Sequence, residues 1–264
     1  MSSSILHLPT SSTRYQHQLD SPQFASLLAD LTARFAVGAA RHDREASFPH
    51  ENFEHLHELG LLALTVPRSL GGLGANLEQT ARVVAAVARG EPSTALVLTM
   101  QYLHHASTRH ATRWPRHLLE RVAREAVEEG ALINALRVEP DLGTPARGGL
   151  PATTARRTPE GWRISGRKVY STGVPRLSWL AVWARSDDET PLVGSWLVHK
   201  DTPGIQIIED WDHLGMRATN SHEIRFDDVR VPLEHAVSVS PWSAPKPDLD
   251  PAGPLWMSVL LSSV

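Results

Sequence analysis

The sequence predicts an α+β fold, in which an N-terminal α-helical domain is followed by a small antiparallel, β-barrel-like middle domain. Two observations carry this prediction. Up to about residue 130 the apolar residues recur every three or four positions, and beyond it they alternate with polar residues. Helix and strand patterns that occur in separate blocks, rather than in alternation, are typical of α+β proteins. The predicted divisions are an N-terminal arm (1–20), the helical domain (21–130), the middle β-domain (131–237), a Pro-rich connector (238–254) and the start of a C-terminal helical domain (255–264).

The composition is that of a globular protein and narrows the classes of function. Of the 264 residues, 41% are hydrophobic and 21% are charged, which is enough for a packed core. The net charge of −3 gives no reason to expect a nucleic-acid or anionic-membrane partner. The absence of Cys excludes disulfides, thiolate metal ligands and a Cys nucleophile. Residues 1–8 lack the features of a secretory signal and no apolar run could span a bilayer, so we expect a cytoplasmic protein.

The first two helices of the helical domain have recognisable ends. Ser21 followed by Pro22 is a typical N-cap and first helical residue. The apolar residues that follow fall on one face of a helix: Phe24, Leu27, Leu28, Leu31 and Phe35. A second helix is predicted to end at Gly60, because glycine adopts the left-handed conformation that often terminates helices.

Three further helix starts are predicted from capping signals. Asn76 and Gln79 have the spacing of a capping box, in which each side chain bonds the other's backbone. Ser93 is predicted to cap the next helix, and Trp114-Pro115 is predicted to begin the last one.

Beyond residue 130 several strands are expected. Residues 154–157 and 162–165 flank the turn Pro159-Glu160-Gly161 and predict a hairpin. Two more strands are predicted over 180–185 and 193–198. A further strand around Ile224 and Phe226 is predicted to end in an acidic turn at Asp227-Asp228, followed by a short strand.

The segment over residues 211–232, WDHLGMRATNSHEIRFDDVRVP, strongly resembles the middle β-domain of the acyl-CoA dehydrogenase family. The order of segments extends the resemblance over roughly 20–260, including LHELGLLALTVPRSLGGLG at 56–74. It implies an FAD-dependent oxidoreductase that performs α,β-dehydrogenation of an acyl thioester. The family's catalytic base lies in a C-terminal helical domain that would begin near Val264. We therefore expect no catalytic residue in this chain, and an isolated, truncated chain with impaired activity.

The resemblance implies a first flavin-contacting segment at 135–144. Its candidate cofactor residues are Ala135, Arg137, Val138, Gly143 and Thr144. Thr144 is also the candidate substrate-binding residue. Val138 stands where the family has Thr, and Pro145 where it has Asp, so one hydroxyl and one carboxylate are lost beside the flavin. In the family, backbone N–H groups of this segment face the flavin, and donors aligned in this way tune the electronics of the cofactor.

A second flavin-contacting segment is implied at 168–173, where the family commonly has Trp-Ile-Thr. Its candidate residues are Tyr170, Ser171 and Thr172. By resemblance, the Tyr170 ring would lie against the isoalloxazine and the Thr172 hydroxyl would bond flavin N5. The alternative is a strand that ends in a polar turn with a buried Tyr.

Other readings of the function remain open. Flavin-dependent monooxygenases of the same superfamily fit the altered flavin segments, and FMN could replace FAD. A third possibility is a non-catalytic remnant or partner subunit. The expected partners are acyl-CoA or another small molecule, and either further copies of the chain or a subunit that supplies the missing helices. Residues 255–264, which include six large apolar residues and no charge, predict an exposed apolar helix that seeks such a partner.

A metal site and a catalytic acid pair are both disfavoured. His104, His105 and His110 lie close together on a predicted helix, but no carboxylate completes a recognisable ligand set. Asp227-Asp228 fits a solvated turn better than a catalytic pair.

Overall fold

The computed structural model describes residues 19–108, 114–142, 149–242 and 252–264. Within these ranges, five α-helices precede the sheet and one follows it: α1 (Pro22–Glu45), α2 (His50–Glu58), α3 (Leu77–Gly90), α4 (Pro92–Thr108), α5 (Arg116–Glu128) and α6 (Ala252–Leu261). The strands are β1 (Leu132–Leu136), β2 (Thr154–Thr158), β3 (Gly161–Lys168), β4 (Leu177–Ser186), β5 (Leu192–His199), β6 (Ile205–Ile208), β7 (Glu223–Val231) and β8 (Ala236–Pro241). The predicted order of a helical domain and then a β-domain is therefore confirmed.

Most of the predicted helix ends are observed, and one cap is different. The Ser21 hydroxyl accepts from the Phe24 N–H at 3.1 Å, and the capping box at Asn76 is complete. The cap of α4 is Glu91 rather than Ser93. The Glu91 carboxylate accepts from the backbone N–H groups of Ser93 and Thr94, at 3.0 and 2.5 Å. A carboxylate outcompetes a hydroxyl here because its charge is also favoured by the positive end of the helix.

The sheet is mixed. The strand order is β6-β7-β3-β2-β4-β5-β8, and β1 pairs with β4 outside this path. Five pairs are antiparallel, as predicted, whereas β1 and β2 each run parallel to β4. The chain leaves β1 and returns through the β2–β3 hairpin before it enters β4. This longer connection permits a parallel pairing that a tight turn would forbid.

The predicted acidic turn at Asp227-Asp228 is wrong, because β7 continues through both residues. Asp228 has a left-handed backbone (φ 50°), and the register against β3 shifts between Ile164 and Gly166. These are the features of a β-bulge, which places one extra residue in a strand without ending it. The Asp228 carboxylate forms an ion pair with Arg163 across the strand pair.

One buried core joins the helical domain to the sheet. It includes Leu56 and Leu98 from the helices and Leu132, Leu180 and Val229 from the strands. A second cluster packs α5 against β1, β4 and β5. Both clusters span helices and strands, so the helical domain and the sheet are packed against each other.

The C-terminal part of the chain differs in two ways from the sequence prediction. β8 extends to Pro241, four residues beyond the predicted end of the β-domain. α6 packs against α3 and α4, with Leu260 fully buried. The expectation of a wholly exposed apolar helix is thus only half right. Among the described residues, no helix is both long enough and apolar enough to cross a membrane.

Candidate functional site

Two loops meet at the end of the sheet where β1, β3 and β6 stop and β7 begins. Residues 138–140 follow β1, and residues 169–173 follow β3. They are joined directly, since the Val169 N–H donates to the Val138 carbonyl at 3.1 Å. Beside them lies a cavity of about 570 Å³. Its walls are Val138, Glu139, Pro140, Val169, Tyr170, Asp210, Trp211, His213, Ser221 and Glu223.

Aromatic rings form one wall of this cavity. Tyr170 is 54% exposed, and its ring meets Trp211 edge-on at 5.8 Å between centroids. Trp211 in turn lies 3.9 Å from the His213 ring. The backbone of Tyr170 is left-handed (φ 55°), which costs a non-glycine residue roughly 1–2 kcal/mol. An exposed, strained aromatic residue is typical of a position held in place for ligand contact.

A buried ion pair fixes the two loops relative to each other. Lys168 Nζ lies 2.7 Å from Glu139 Oε1; the Lys168 side chain is fully buried and that of Glu139 is only 3% exposed. The Glu139 carboxylate also accepts from the backbone N–H groups of Ala152 and Thr153 and from the Thr153 hydroxyl. Burial alone would raise the pKa of Glu139, but these bonds outweigh it and hold the pKa below its usual value. With its charge fully engaged, Glu139 supports the loops and is not free to accept a substrate proton.

The second loop is anchored through buried polar contacts. Asn134 donates its amide to the Thr172 carbonyl at 3.1 Å, and the Gly173 N–H donates to the Thr219 carbonyl at 2.9 Å. Ser221 lies within hydrogen-bond distance of both the Thr172 and the Thr219 hydroxyls. The half-buried Thr172 hydroxyl is therefore the outer end of a polar cluster that continues into the protein.

The other carboxylates of the cavity differ in how far they are engaged. Glu223 pairs with Arg167 at 2.6 Å and with Arg225 at 2.7 Å, and the bond from Arg167 lowers its pKa. Asp210 is half exposed and accepts from the Glu223 N–H at 2.9 Å. Of the three carboxylates at the wall, Asp210 is thus the one with the most access to solvent.

The cofactor residues predicted from the sequence do not all lie at the cavity. Val138 and Tyr170 line the cavity. Ala135 and Arg137 are exposed at the end of β1, and the Arg137 guanidinium lies 5.1 Å from the centre of the Trp183 ring. These four positions, together with Thr172, have surface available to a ligand.

Three further predicted cofactor residues, Ser171, Gly143 and Thr144, stay predictions. Ser171 is wholly buried and its hydroxyl has no hydrogen-bond partner, so it supports the loop and has no surface for a cofactor. Gly143 and Thr144 lie outside the described residues, as does Pro145.

Trp211, His213 and Ser221 belong to the cavity but were not predicted as site residues. They lie in the segment 211–232, whose likeness to a known family indicates the fold rather than the roles of individual side chains. Two aromatic residues, Trp211 and His213, in a loop before a strand were the available signal.

The paired histidines of α4 have no metal-binding arrangement. Within the described ranges, no group of three His, Cys, Asp or Glu side chains could hold an ion, and His110 falls outside those ranges. Burial lowers the pKa of His104 to about 3, with His105 and Arg137 adding to the effect. Burial also lowers the pKa of His105 to about 4. Both rings are therefore neutral at physiological pH.

The residues of the site fit a flavin ring system. The cavity volume lies in the range of small-molecule sites, roughly 300–1,000 Å³. Its Tyr170 and Trp211 rings offer flat apolar surfaces, and the Thr172 hydroxyl beside it can donate or accept a hydrogen bond. A flavin needs both kinds of contact, because its rings are planar and its ring nitrogens are polar.

Two family models match the chain. The model described as acyl-CoA dehydrogenase, N-terminal domain, matches residues 23–129, and the model described as acyl-CoA dehydrogenase, middle domain, matches residues 137–229.

The similar curated proteins include a putative dehydrogenase and a nitrososynthase. A putative acyl-CoA dehydrogenase, YdbM of Bacillus subtilis, is 33% identical over 209 residues, which is 79% of this chain and 54% of that protein. The L-evernosamine nitrososynthase of a Micromonospora species is 34% identical over 226 residues, or 83% of this chain and 52% of that protein. The chain spans about half the length of the curated relatives it matches.

Solved structures show the same fold. KijD3, in complex with FMN and a dTDP-linked amino keto sugar, superposes with a TM-score of 0.80 at 33% identity, covering 94% of this chain and 62% of that one. A nitrososynthase from Micromonospora carbonacea var. africana gives a TM-score of 0.79 at 28% identity, covering 96% of this chain and 64% of that one.

Proposed function

Because the chain belongs to the acyl-CoA dehydrogenase family through its N-terminal and middle domains, we propose that it binds a flavin and acts in flavin-dependent oxidation of a small molecule. The loops at 138–140 and 169–173 would hold the flavin. Neither FAD nor FMN is favoured by the described residues alone, since the contacts that distinguish them lie beyond the isoalloxazine ring.

The observation that carries this proposal is the rigid junction of the two loops beside an aromatic-walled cavity. The Glu139–Lys168 pair and the Val169–Val138 hydrogen bond hold both loops in one arrangement before any ligand arrives. A site that is already formed loses less entropy when it binds a ligand. The strained backbone of Tyr170 fits the same interpretation, because it positions the ring without help from the ligand.

Dehydrogenation of an acyl thioester with FAD is the first candidate reaction. In it the flavin accepts a hydride from the substrate β-carbon. The reaction also needs a base to remove the α-proton, and the paired carboxylates Glu139 and Glu223 are poorly suited to this because their charges are taken up by cations. We propose that this chain supplies the flavin pocket. The base would be either Asp210, the wall carboxylate with the most access to solvent, or a group outside the described residues.

Monooxygenation is the second candidate, favoured by Val138. Its apolar side chain faces the cavity where the family commonly carries a Thr hydroxyl, so contacts to the flavin and substrate differ from those of the dehydrogenases. The similarity to nitrososynthases, at 34% identity for a curated relative, supports the same candidate. In that case an amine or a nucleotide-linked amino sugar would be the substrate class, and FMN would be a suitable flavin.

A pair of assays on the full chain separates the two reactions. In the first, acyl-CoA thioesters of different chain length are added without oxygen to protein loaded with FAD, and loss of the visible flavin absorbance reports dehydrogenation. In the second, reduced FMN and an amino sugar are supplied with oxygen, and hydroxylated product is measured by mass spectrometry. Bleaching only in the first assay supports dehydrogenation, whereas product only in the second supports monooxygenation. If flavin-loaded protein gives neither of the two signals, the result would contradict an oxidoreductase role for this chain on its own.

A further inference from the structure

One guanidinium group joins the helical domain to the aromatic wall of the candidate flavin site. Arg217 Nε donates to the carbonyl of Asp43, in the last turn of α1, at 2.8 Å. Arg217 Nη1 donates to the Asp212 carboxylate at 2.6 Å and to the His213 carbonyl at 2.9 Å. Arg217 is 25% exposed, and it is not one of the described residues that line the cavity. It therefore bonds a residue of the wall without being part of the wall.

The segment 212–215 has few other supports. The side chain of Asp212 is 85% exposed, and Leu214 is fully exposed. Among the described residues, Arg217 is the only hydrogen-bond partner of this segment. Fixing loop backbone in one conformation costs entropy for every residue that is ordered. The position of the His213 ring therefore depends on the bonds from Arg217.

The other end of this bridge is fixed by the helical domain. The last carbonyls of a helix have no partner within the helix, and the partial negative charge there attracts cations such as Arg217. Asn220 adds a second contact to the same end of α1, since its Nδ2 donates to the Ala46 carbonyl at 2.8 Å. Asn220 is only 7% exposed, so this contact is shielded from water. The two bonds together place the start of the loop relative to α1.

The rings that depend on this bridge belong to the cavity wall. The His213 ring lies 3.9 Å from the Trp211 ring, which in turn meets the Tyr170 ring at 5.8 Å. We propose that Arg217 is a positioning residue, which holds the Trp211–His213 ring pair in place for the flavin by tying its loop to α1. The inference rests on the proposed function, in which the aromatic wall contacts the flavin.

The three contacts of Arg217 need the planar fork of a guanidinium. Its Nε and Nη1 atoms bond acceptors in two separate segments of the chain at once. Lysine carries the same charge on a single nitrogen at the end of a flexible stem. Arg217→Lys should therefore keep the charge near the site and lose the bridge, whereas Arg217→Ala loses both.

The experiment measures flavin affinity and the visible spectrum of the bound flavin on the full chain, with riboflavin, FMN and FAD titrated separately. For Arg217→Ala we expect affinity to fall roughly tenfold for each flavin that the parent binds, the cost of ordering about one residue of the loop on binding. Arg217→Lys should show nearly the same fall, because the charge alone does not hold the loop. Arg68→Ala removes another guanidinium that donates to a backbone carbonyl, that of Leu73 at 3.1 Å, and should bind flavin as the parent does.

A comparison of combined variants separates positioning from a general effect on the fold. If Arg217 acts through the Trp211–His213 pair, its loss should matter little once both rings are absent. Adding Arg217→Ala to Trp211→Ala/His213→Ala should therefore change the affinity by less than about twofold, whereas independent effects would multiply. The visible bands of flavin bound to Arg217→Ala should likewise match those in Trp211→Ala/His213→Ala rather than those in the parent.

Parent-like affinity in Arg217→Ala would overturn the inference and leave the proposed function standing, and so would parent-like affinity in Arg217→Lys. A fall of the same size with and without the two rings would show a general effect on the fold, and would also overturn it. A chain that binds none of the flavins would overturn both. Should Arg217→Ala fail to fold, Arg217→Lys decides the outcome by the same comparison in the variant that lacks both rings.

Discussion

Tyr170 and Glu139 determine the candidate site in different ways, one by exposing a ring to a ligand and the other by holding the backbone around it. The Tyr170 ring could be placed from the sequence by its position after a strand and by its likeness to a family motif. The role of Glu139 could not, because its partner Lys168 is 29 residues away in the sequence and the pair forms only when β1 and β3 stop side by side. Local signals identify exposed residues better than they identify the buried pairs behind them.

The buried histidines of α4 give a testable pH dependence. In the folded chain the pKa of His104 is about 3 and that of His105 about 4, both because of burial, against a usual value of 6.5. Between pH 6.5 and about 4 the unfolded chain therefore binds protons that the folded chain does not, and stability falls as the pH falls. With two such groups the slope can reach about 2.7 kcal/mol per pH unit.

Urea unfolding at several pH values checks this expectation. The double variant His104→Gln/His105→Gln should flatten the dependence between pH 6.5 and 4, whatever its stability at neutral pH. His213→Gln, which changes an exposed ring, serves as the control and should keep the parent slope. A double variant with an unchanged slope would show that these two histidines do not govern acid stability.

At the level of elements, the start of α4 shows what sequence patterns can and cannot resolve. Ser21 and the Asn76–Gln79 box were predictable because each cap lies within three residues of the group it bonds. At α4 the chain offers two alternative cap positions, Glu91 and Ser93, and the energies of the two caps rather than the sequence pattern decide which one forms. The bulge in β7 and the parallel pairing of β1 depend on strands far apart in sequence, which is why neither was foreseen.

The cap of α4 can be tested by comparing two substitutions. Glu91→Ala should destabilise the fold by about 1–2 kcal/mol, because the Ser93 and Thr94 N–H groups lose their acceptor. Ser93→Ala should cost less, since its hydroxyl makes only a weak contact, 3.9 Å from the Met216 sulfur. Chemical denaturation of both variants decides the point. A larger loss in Ser93→Ala would restore Ser93 as the cap.

On the scale of the whole molecule, the order of domains was predictable because the hydrophobic period changes once, near residue 130. The packing of α6 against α3 and α4 was not predictable from the sequence. Its inner face, with Trp256 and Leu260, packs against the buried core, and so does Val264 just beyond the end of the helix. Its outer face leaves Leu255, Met257 and Leu261 between 43% and 55% exposed. The apolar pattern of this helix was visible in the sequence, but which side of it is covered depends on where α3 and α4 lie.

The outer face of α6 is proposed to associate with another copy of the chain or with a partner subunit. Replacing Leu255, Met257 and Leu261 by Ser should reduce oligomer size in light scattering without lowering the unfolding temperature, because an exposed apolar patch drives association. Leu214→Ser, at an isolated exposed position, is the matched control and should change nothing. If the parent is monomeric and the triple variant behaves identically, the outer face has no such role.

The central claim is that a flavin binds against the loops at 138–140 and 169–173, and a titration of FMN and FAD into the purified chain tests it most directly. Changes in flavin fluorescence and visible absorbance should saturate with a defined stoichiometry in the parent. Tyr170→Ala should weaken flavin binding roughly tenfold or more, because the flavin loses its apolar contact with the Tyr170 ring. Trp242→Ala, which removes an exposed aromatic ring outside the cavity wall, should bind as the parent does. Absence of flavin binding in the parent, or equal affinities in the two variants, would contradict the account.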